Sequence, residues 1–198
     1  MPCASFVGHK NMDTKIAICL PTNRGVKPKT LQSLMELVAY MPHDFAIVVG
    51  TEGFNTAENR TWMTVKAIRE GATHLFFVDD DMIYEPETLE KLLALDKDIV
   101  GARYANRRGS GEVIEYLGER VDGEELFECA ALGGGCVLIK AEVFQKVPQP
   151  WFWYKIADNG MVTMSNDWYF CEKARENGYK IWCDPTINPG HIGKKEYA

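Results

Sequence analysis

Three consecutive aspartates, Asp79-Asp80-Asp81, follow the apolar run Leu75-Phe76-Phe77-Val78. Carboxylates placed there can hold a hard cation through oxygen atoms, as Mg²⁺ and Mn²⁺ prefer. They can equally cap the helix that follows and complement its dipole. In a strand, side chains alternate faces, so Asp79 and Asp81 are expected to project together with Asp80 opposite. The carboxyl end of a central parallel strand is where open α/β sheets bind ligands, and that context favours the cation.

Two further groups could do chemistry. Asp167, in Ser165-Asn166-Asp167-Trp168, falls in the first turn of a predicted helix. There it either complements the dipole, with Ser165 as N-cap, or takes a proton from a hydroxyl nucleophile as a general base; the local pattern alone favours the dipole role. His191 lies between glycines in Pro189-Gly190-His191-Ile192-Gly193, where the backbone can approach a ligand closely. His9, His43 and His74 have no such setting. Trp151 and Trp153 share a face if extended and could stack on a sugar ring, although aromatics beside Pro148 and Pro150 more often pack in a core. Arg103, Arg107 and Arg108 stand in a basic, flexible loop that reads first as a solvated connector and second as a cover for a diphosphate.

The elements that must position these residues alternate. Strands are expected at Lys15–Leu20, Phe45–Val49, Leu75–Val78 and Asp98–Ala102. Helices are expected between them, from Pro28 to about Tyr40 with Leu31, Leu34, Met35 and Val38 on one face, from Thr56 to Glu70 with Gly71 as C-cap, and from Pro86 to about Leu95. Continuous apolar strands alternating with helices predict a mostly parallel sheet flanked by helices, an α/β, Rossmann-like domain. Beyond Gly101 the texture becomes irregular, with short strands near Val113–Leu117, Leu126–Ala130, Cys136–Ile139 and Lys180–Cys183, and helices at Ala141–Lys146 and Asn166–Asn177. No linker divides the 198 residues, so one domain is expected, with halves of about 15–102 and 103–193.

Composition narrows the function. A net charge of -6 argues against broad binding to nucleic-acid phosphates. It leaves room for a single nucleotide whose charge is met by a divalent metal. No apolar run reaches the roughly 20 residues of a membrane span, and no secretory signal precedes Lys15. The six cysteines are widely spaced without a C-x-x-C pair, which reads as buried reduced thiols and a cytoplasmic location.

Together these pieces resemble a known family. A first strand ending in Pro21-Thr22, the D-x-D of Asp79 and Asp81, and "NDWYFCEKARENGYKIW" followed by "PGHIG" are similar to GT-A-type glycosyltransferases, closest to glycosyltransferase family 2, over about residues 15 to 193. The resemblance implies transfer of a sugar from a UDP- or GDP-linked donor to a glycan or other hydroxyl acceptor. It places Pro21, Thr22, Glu52 and Arg60 around the nucleotide, and Gly134 and Gly135 against the donor sugar. Asp79, Asp81 and His191 would hold Mn²⁺ or Mg²⁺. Asp80 would be a structural or donor-ribose contact, and Asp167 the catalytic base of an inverting reaction. Asn166 departs from the acid that precedes this base in the family. The short chain after His191 leaves the acceptor to a partner, a second subunit of a homo-oligomer, or a shallow site.

Three rivals compete. A haloacid-dehalogenase-type phosphatase also carries a strand-terminal D-x-D, but Ile83 stands where Thr or Val is required, and those aspartates end a first strand. A nucleotidyltransferase would share the metal, with its glycine- and arginine-rich loop only hinted at by Asn23-Arg24-Gly25. A module that holds a nucleotide sugar or glycan without turnover is the third, and the intact set of Asp79, Asp81, Asp167 and His191 speaks against it.

Overall fold

The computed structural model describes residues 11–23, 25–50, 53–107, 111–193 and 196–197. His9, Arg24, Glu52 and Arg108, all named above, lie outside these. In chain order the elements are β1 (Asn11–Leu20), α1 (Pro28–Tyr40), β2 (His43–Val49), α2 (Thr56–Arg69), β3 (His74–Val78), β4 (Met82–Ile83), α3 (Thr88–Ala94), β5 (Ile99–Gly101) and β6 (Ile114–Tyr116). They continue with β7 (Phe127–Leu132), β8 (Cys136–Lys140), α4 (Ala141–Lys146), β9 (Lys155–Ile156), β10 (Val162–Met164), α5 (Asn166–Glu176), β11 (Ile181–Cys183), β12 (Gly190–Ile192) and β13 (Glu196–Tyr197).

Eight strands form one sheet in the order β2-β1-β3-β8-β5-β11-β7-β6. β1 pairs in parallel with both β2 and β3, and β11 pairs in parallel with β5. β8 runs against β3 and β5, and β7 runs against β11 and β6. The sheet is therefore mixed, with β7 and β8 reversed among strands that otherwise share one direction.

Alternation along the strands builds two cores. Ile16, Ile18, Phe76 and Val78 face Leu34 and Leu37 of α1 and Leu89 and Leu92 of α3. Ala17, Cys19, Leu75 and Phe77 face the other way, onto Met63 of α2, Phe144 of α4 and Phe170 of α5. A strand buried on both faces shows no polar positions, which is why these segments read as apolar runs.

Local chemistry sets the helix ends. Pro28 opens α1 with its φ already helical and no N–H to leave unpaired. α2 begins with a capping box, in which Asn55 Oδ1 accepts from Glu58 N at 3.0 Å and Glu58 Oε2 accepts from Asn55 N at 2.9 Å. Gly71 ends it at φ 81°.

Two expectations are corrected. α1 buries Thr30, Ser33, Leu34 and Leu37, while Leu31 and Met35 are exposed. Its apolar residues fit two overlapping helical stripes, and the one that continues into the buried Met41 is the one that packs. Helix α3 starts at Thr88 because Pro86 sits in a turn closed by Thr88 N–H to Glu85 C=O at 3.0 Å.

The five described cysteines are free and buried. Burial pushes the thiols of Cys171 and Cys183 up to about 12, so both stay protonated and inert. No described helix is long and apolar enough to cross a membrane.

Candidate active site

A cleft of about 670 Å³ opens where the chain leaves β1 and β3. Pro21, Asn23, Lys27, Asn59, Arg60, all three aspartates, Arg107, Ser165, Asn166 and Asp167 line it. Among these, Pro21, Arg60, Asp79, Asp80, Asp81 and Asp167 were expected from sequence as site residues, and Arg107 as a possible cover for a diphosphate.

The aspartates do not alternate as a strand would have them. β3 ends at Val78, and Asp80 and Asp81 form a turn, so each carboxylate goes its own way. Asp79 Oδ1 accepts from Arg60 Nη2 at 3.0 Å. Asp80 Oδ2 accepts from the Thr22 hydroxyl at 2.7 Å, and its carbonyl accepts Lys27 N–H at 2.9 Å, which ties the β1–α1 loop to the turn. Thr22 thus points at Asp80 and does not line the cleft.

Asp81 is brought to His191 by a pairing of very short strands. β12 runs antiparallel to β4, with His191 opposite Met82, and Ile192 N–H donates to Asp81 C=O at 2.8 Å. His191 Nε2 then lies 3.4 Å from Asp81 Oδ1. That oxygen is buried and has no hydrogen-bond partner. Burial alone would raise the Asp81 carboxyl, but His191 and the Arg107 guanidinium hold it below the usual carboxylate range. His191 Nδ1 is 2.8 Å from Ala105 C=O, an acceptor only, so Nδ1 carries a proton and Nε2 is the ring nitrogen that faces Asp81.

Behind the cleft lies a buried network that sequence reading named only in part. Arg60, 3% exposed, donates from Nη1 to Asn166 Oδ1 at 2.6 Å and from Nη2 to Asp79. Its Nη1 is also 3.8 Å from Asp167 Oδ2. Burial would lower the Arg60 pKa, but Asp79 and Asp167 hold it above its ordinary value. Burial raises the Asp79 carboxyl, against the pull of Arg60. Asp167 Oδ2 accepts Gly134 N–H at 2.9 Å, and its Oδ1 accepts from the Ser165 hydroxyl and from Trp168 N–H. Ser165 occupies the N-cap position of α5, but its hydroxyl serves Asp167 and makes no cap bond.

Gly134 and Gly135 are buried, and neither lines the cleft. Gly134 packs on Arg60, and Gly135 donates its N–H to Tyr104 Oη at 3.0 Å. A Cβ on Gly134 would lie 2.1 Å from Arg60 Nη2 and 2.4 Å from Cζ. Gly134→Ala is therefore expected to push Arg60 off its carboxylates and to cost about 1–3 kcal/mol. Urea unfolding measures this, and wild-type stability in the variant would show that the close approach is dispensable.

The aromatic expectation divides. Trp151 is buried against Phe144, with Nε1 donating to Val147 C=O at 2.8 Å, so it is a core residue and cannot stack on a ligand. Trp153 is 52% exposed. The basic loop divides too: Arg103 turns away to Tyr116 and Glu112, while Arg107 enters the cleft.

Asn59 and Tyr104 were missed. Asn59 is fully buried and donates to Asn23 Oδ1 at 3.0 Å. The available signal was α2 itself, whose buried face carries Asn59, Arg60 and Thr64 among Ala57, Met63 and Ala67. Buried polar side chains on one helix face mark a network rather than plain packing. Tyr104, beside the glycines, carried no such signal.

As a metal site the donors fit in part. Among the described residues no three His, Cys, Asp or Glu side chains form a ready ligand cluster. Asp81 and His191 nonetheless offer an orphaned buried oxygen and an aromatic nitrogen to one point, a donor pair suited to an ion that completes its shell with phosphates and waters. Asp79 stands apart from that pair, held by Arg60.

No protein-family model and no curated protein matches the chain. Solved structures do resemble it. The A197 protein from STIV aligns over 90% of this chain and 85% of its own, with a TM-score of 0.66 and 15% identity. GalNAc-T7, solved with UDP, GalNAc and Mn²⁺, aligns over 93% of this chain with a TM-score of 0.60 and 12% identity. The aligned region spans 44% of the GalNAc-T7 chain. The likeness is one of fold, a GT-A-like α/β domain.

Proposed function

We propose that this protein is a metal-dependent glycosyltransferase that moves a sugar from a nucleotide-sugar donor, UDP- or GDP-linked, to an acceptor hydroxyl with inversion. One observation carries the reading: a single cleft is lined both by Asp81, which has His191 Nε2 3.4 Å behind it, and by the backbone-anchored carboxylate of Asp167. The GT-A-like fold, shared with a protein solved with UDP, GalNAc and Mn²⁺, supports it.

Asp81 and His191 would hold the divalent ion, which supplies positive charge to a departing diphosphate. Asp80 keeps the turn against Thr22 and so fixes where Asp81 points. Arg60 sets Asp79 and Asn166 along the cleft wall. Asp167 would take the proton of the acceptor hydroxyl as the acceptor oxygen bonds to the anomeric carbon and the bond to the diphosphate breaks. Trp153, half exposed, is the remaining aromatic for acceptor contact.

The test is nucleoside diphosphate release from a panel of nucleotide sugars, with Mn²⁺ and with chelator. Release is expected only with metal, and Asp81→Ala is expected to reduce it by on the order of 10²–10³-fold. Full turnover in Asp81→Ala, or none with any donor in wild type, would overturn the reading.

A further inference from the structure

Arg107 belongs to the loop after β5, and its side chain is 64% exposed. Its Nε nevertheless lies 2.7 Å from Asp81 Oδ2 and 3.3 Å from His191 Nε2. One N–H therefore points between the two side chains that are proposed to bind the divalent ion. Both acceptors are already arranged. Ala105 C=O fixes the His191 tautomer that leaves Nε2 free to accept, and Asp81, 5% exposed along its side chain, is a carboxylate that needs a cation beside it.

We propose that Arg107 is a built-in counter-cation: it holds the place of the divalent ion between Asp81 and His191 and must withdraw before the ion binds. The inference rests on the metal site of the transferase reading. Metal ligation needs contacts of about 2.0–2.2 Å to oxygen and nitrogen. A guanidinium already hydrogen-bonded to the same two groups leaves no room for such an ion, and the two positive charges repel. Withdrawal is easy in structural terms. The loop backbone stays closed by Asn106 N–H to Gly111 C=O and Val113 N–H to Tyr104 C=O, each 2.7 Å, so only an exposed side chain has to rotate. The arrangement neutralises Asp81 in the metal-free protein and makes metal affinity the outcome of a competition.

The test measures Mn²⁺ binding without nucleotide, by calorimetry and by the spin-resonance signal of free Mn²⁺. Arg107→Ala is expected to bind Mn²⁺ about tenfold more tightly than wild type. Arg107→Lys keeps a cation on the loop and should stay close to wild type. Lys27→Ala removes another positive charge lining the cleft and should shift affinity less than about twofold. In chelator Arg107→Ala should melt below wild type, and Mn²⁺ should raise its melting temperature by more than it raises that of wild type. Equal or weaker binding by Arg107→Ala overturns the competition, as does a Lys27→Ala effect of the same size, which would reveal a general field. Asp81→Ala separates the two levels. If Asp81→Ala abolishes Mn²⁺ binding while Arg107→Ala changes nothing, only the counter-cation fails. If Asp81→Ala binds like wild type, or if no variant binds, the metal site fails and the counter-cation with it.

Discussion

Arg60→Met is expected to destabilise the protein by about 3–5 kcal/mol, the cost of breaking a buried ion pair from one side. Methionine matches much of the arginine stem, so the loss would come from charge and hydrogen bonds and little from packing. The wild-type guanidinium is 3% exposed and serves Asn166, Asp79 and Asp167 together. Without it, Asp79 keeps the burial that already raises its carboxyl and loses the group that opposes the rise. Asn166 loses the partner that fixes its side-chain oxygen, leaving Tyr154 Oη at 3.2 Å from its Nδ2. Chemical denaturation reads the change directly. The double variant Arg60→Met/Asp79→Asn isolates the charge: it should recover part of the loss, because the amide carries no unpaired charge. A loss under about 1 kcal/mol in the single variant would mean that water or rearrangement replaces Arg60, and the network would not be the scaffold of the cleft.

That network shows what sequence could and could not reveal. Lys15–Leu20 reads as a strand because a doubly buried strand has no polar positions. Phe45–Val49 keeps the same apolar run at the sheet edge, with Ile47 and Val49 exposed. Gly71 and Pro28 punctuate helices for stated stereochemical reasons. The place of β8 was not legible. Its five residues look like any buried strand, and nothing in them says that they insert antiparallel between β3 and β5. The β4–β12 pairing was hidden for another reason. Strands of two and three residues are shorter than any period, yet they set His191 beside Asp81 across 110 positions.

The aspartate triplet misled in an instructive way. Alternation holds only while the chain stays in the ladder, and β3 leaves it at Val78. The carbonyls of Asp80 and Asp81 then go to Lys27 and Ile192, so the backbone turns and the three side chains diverge. Residue types pointed to the chemistry, but the division of labour among the aspartates came from hydrogen bonds to distant segments. Arg60 was identified only through family resemblance, although its place on the buried face of α2 was itself a physical signal.

Asp167→Asn is expected to lower the transfer rate by about 10²–10⁴-fold, the usual contribution of a positioned general base, while donor and metal binding stay at wild-type strength. The substitution suits the site. The amide oxygen can still accept Gly134 N–H, and the amide nitrogen can face the Ser165 hydroxyl, which accepts as well as donates. The bond from Trp168 N–H is lost, but the anchor to Gly134 N–H keeps the side chain in place while the capacity to take a proton is removed. The plain alternative, a carboxylate that complements the dipole of α5, predicts a different result: a small loss of stability, about 0.3–1 kcal/mol, and no selective loss of rate. Donor affinity by calorimetry, stability by denaturation and single-turnover transfer separate the two. Ser165→Ala provides the control on positioning, since it removes one hydrogen bond to the carboxylate and leaves the base intact. It should reduce transfer far less than Asp167→Asn. An Asp167→Asn protein that transfers sugar at the wild-type rate would return this carboxylate to the helix and leave the reaction without a base on the cleft wall.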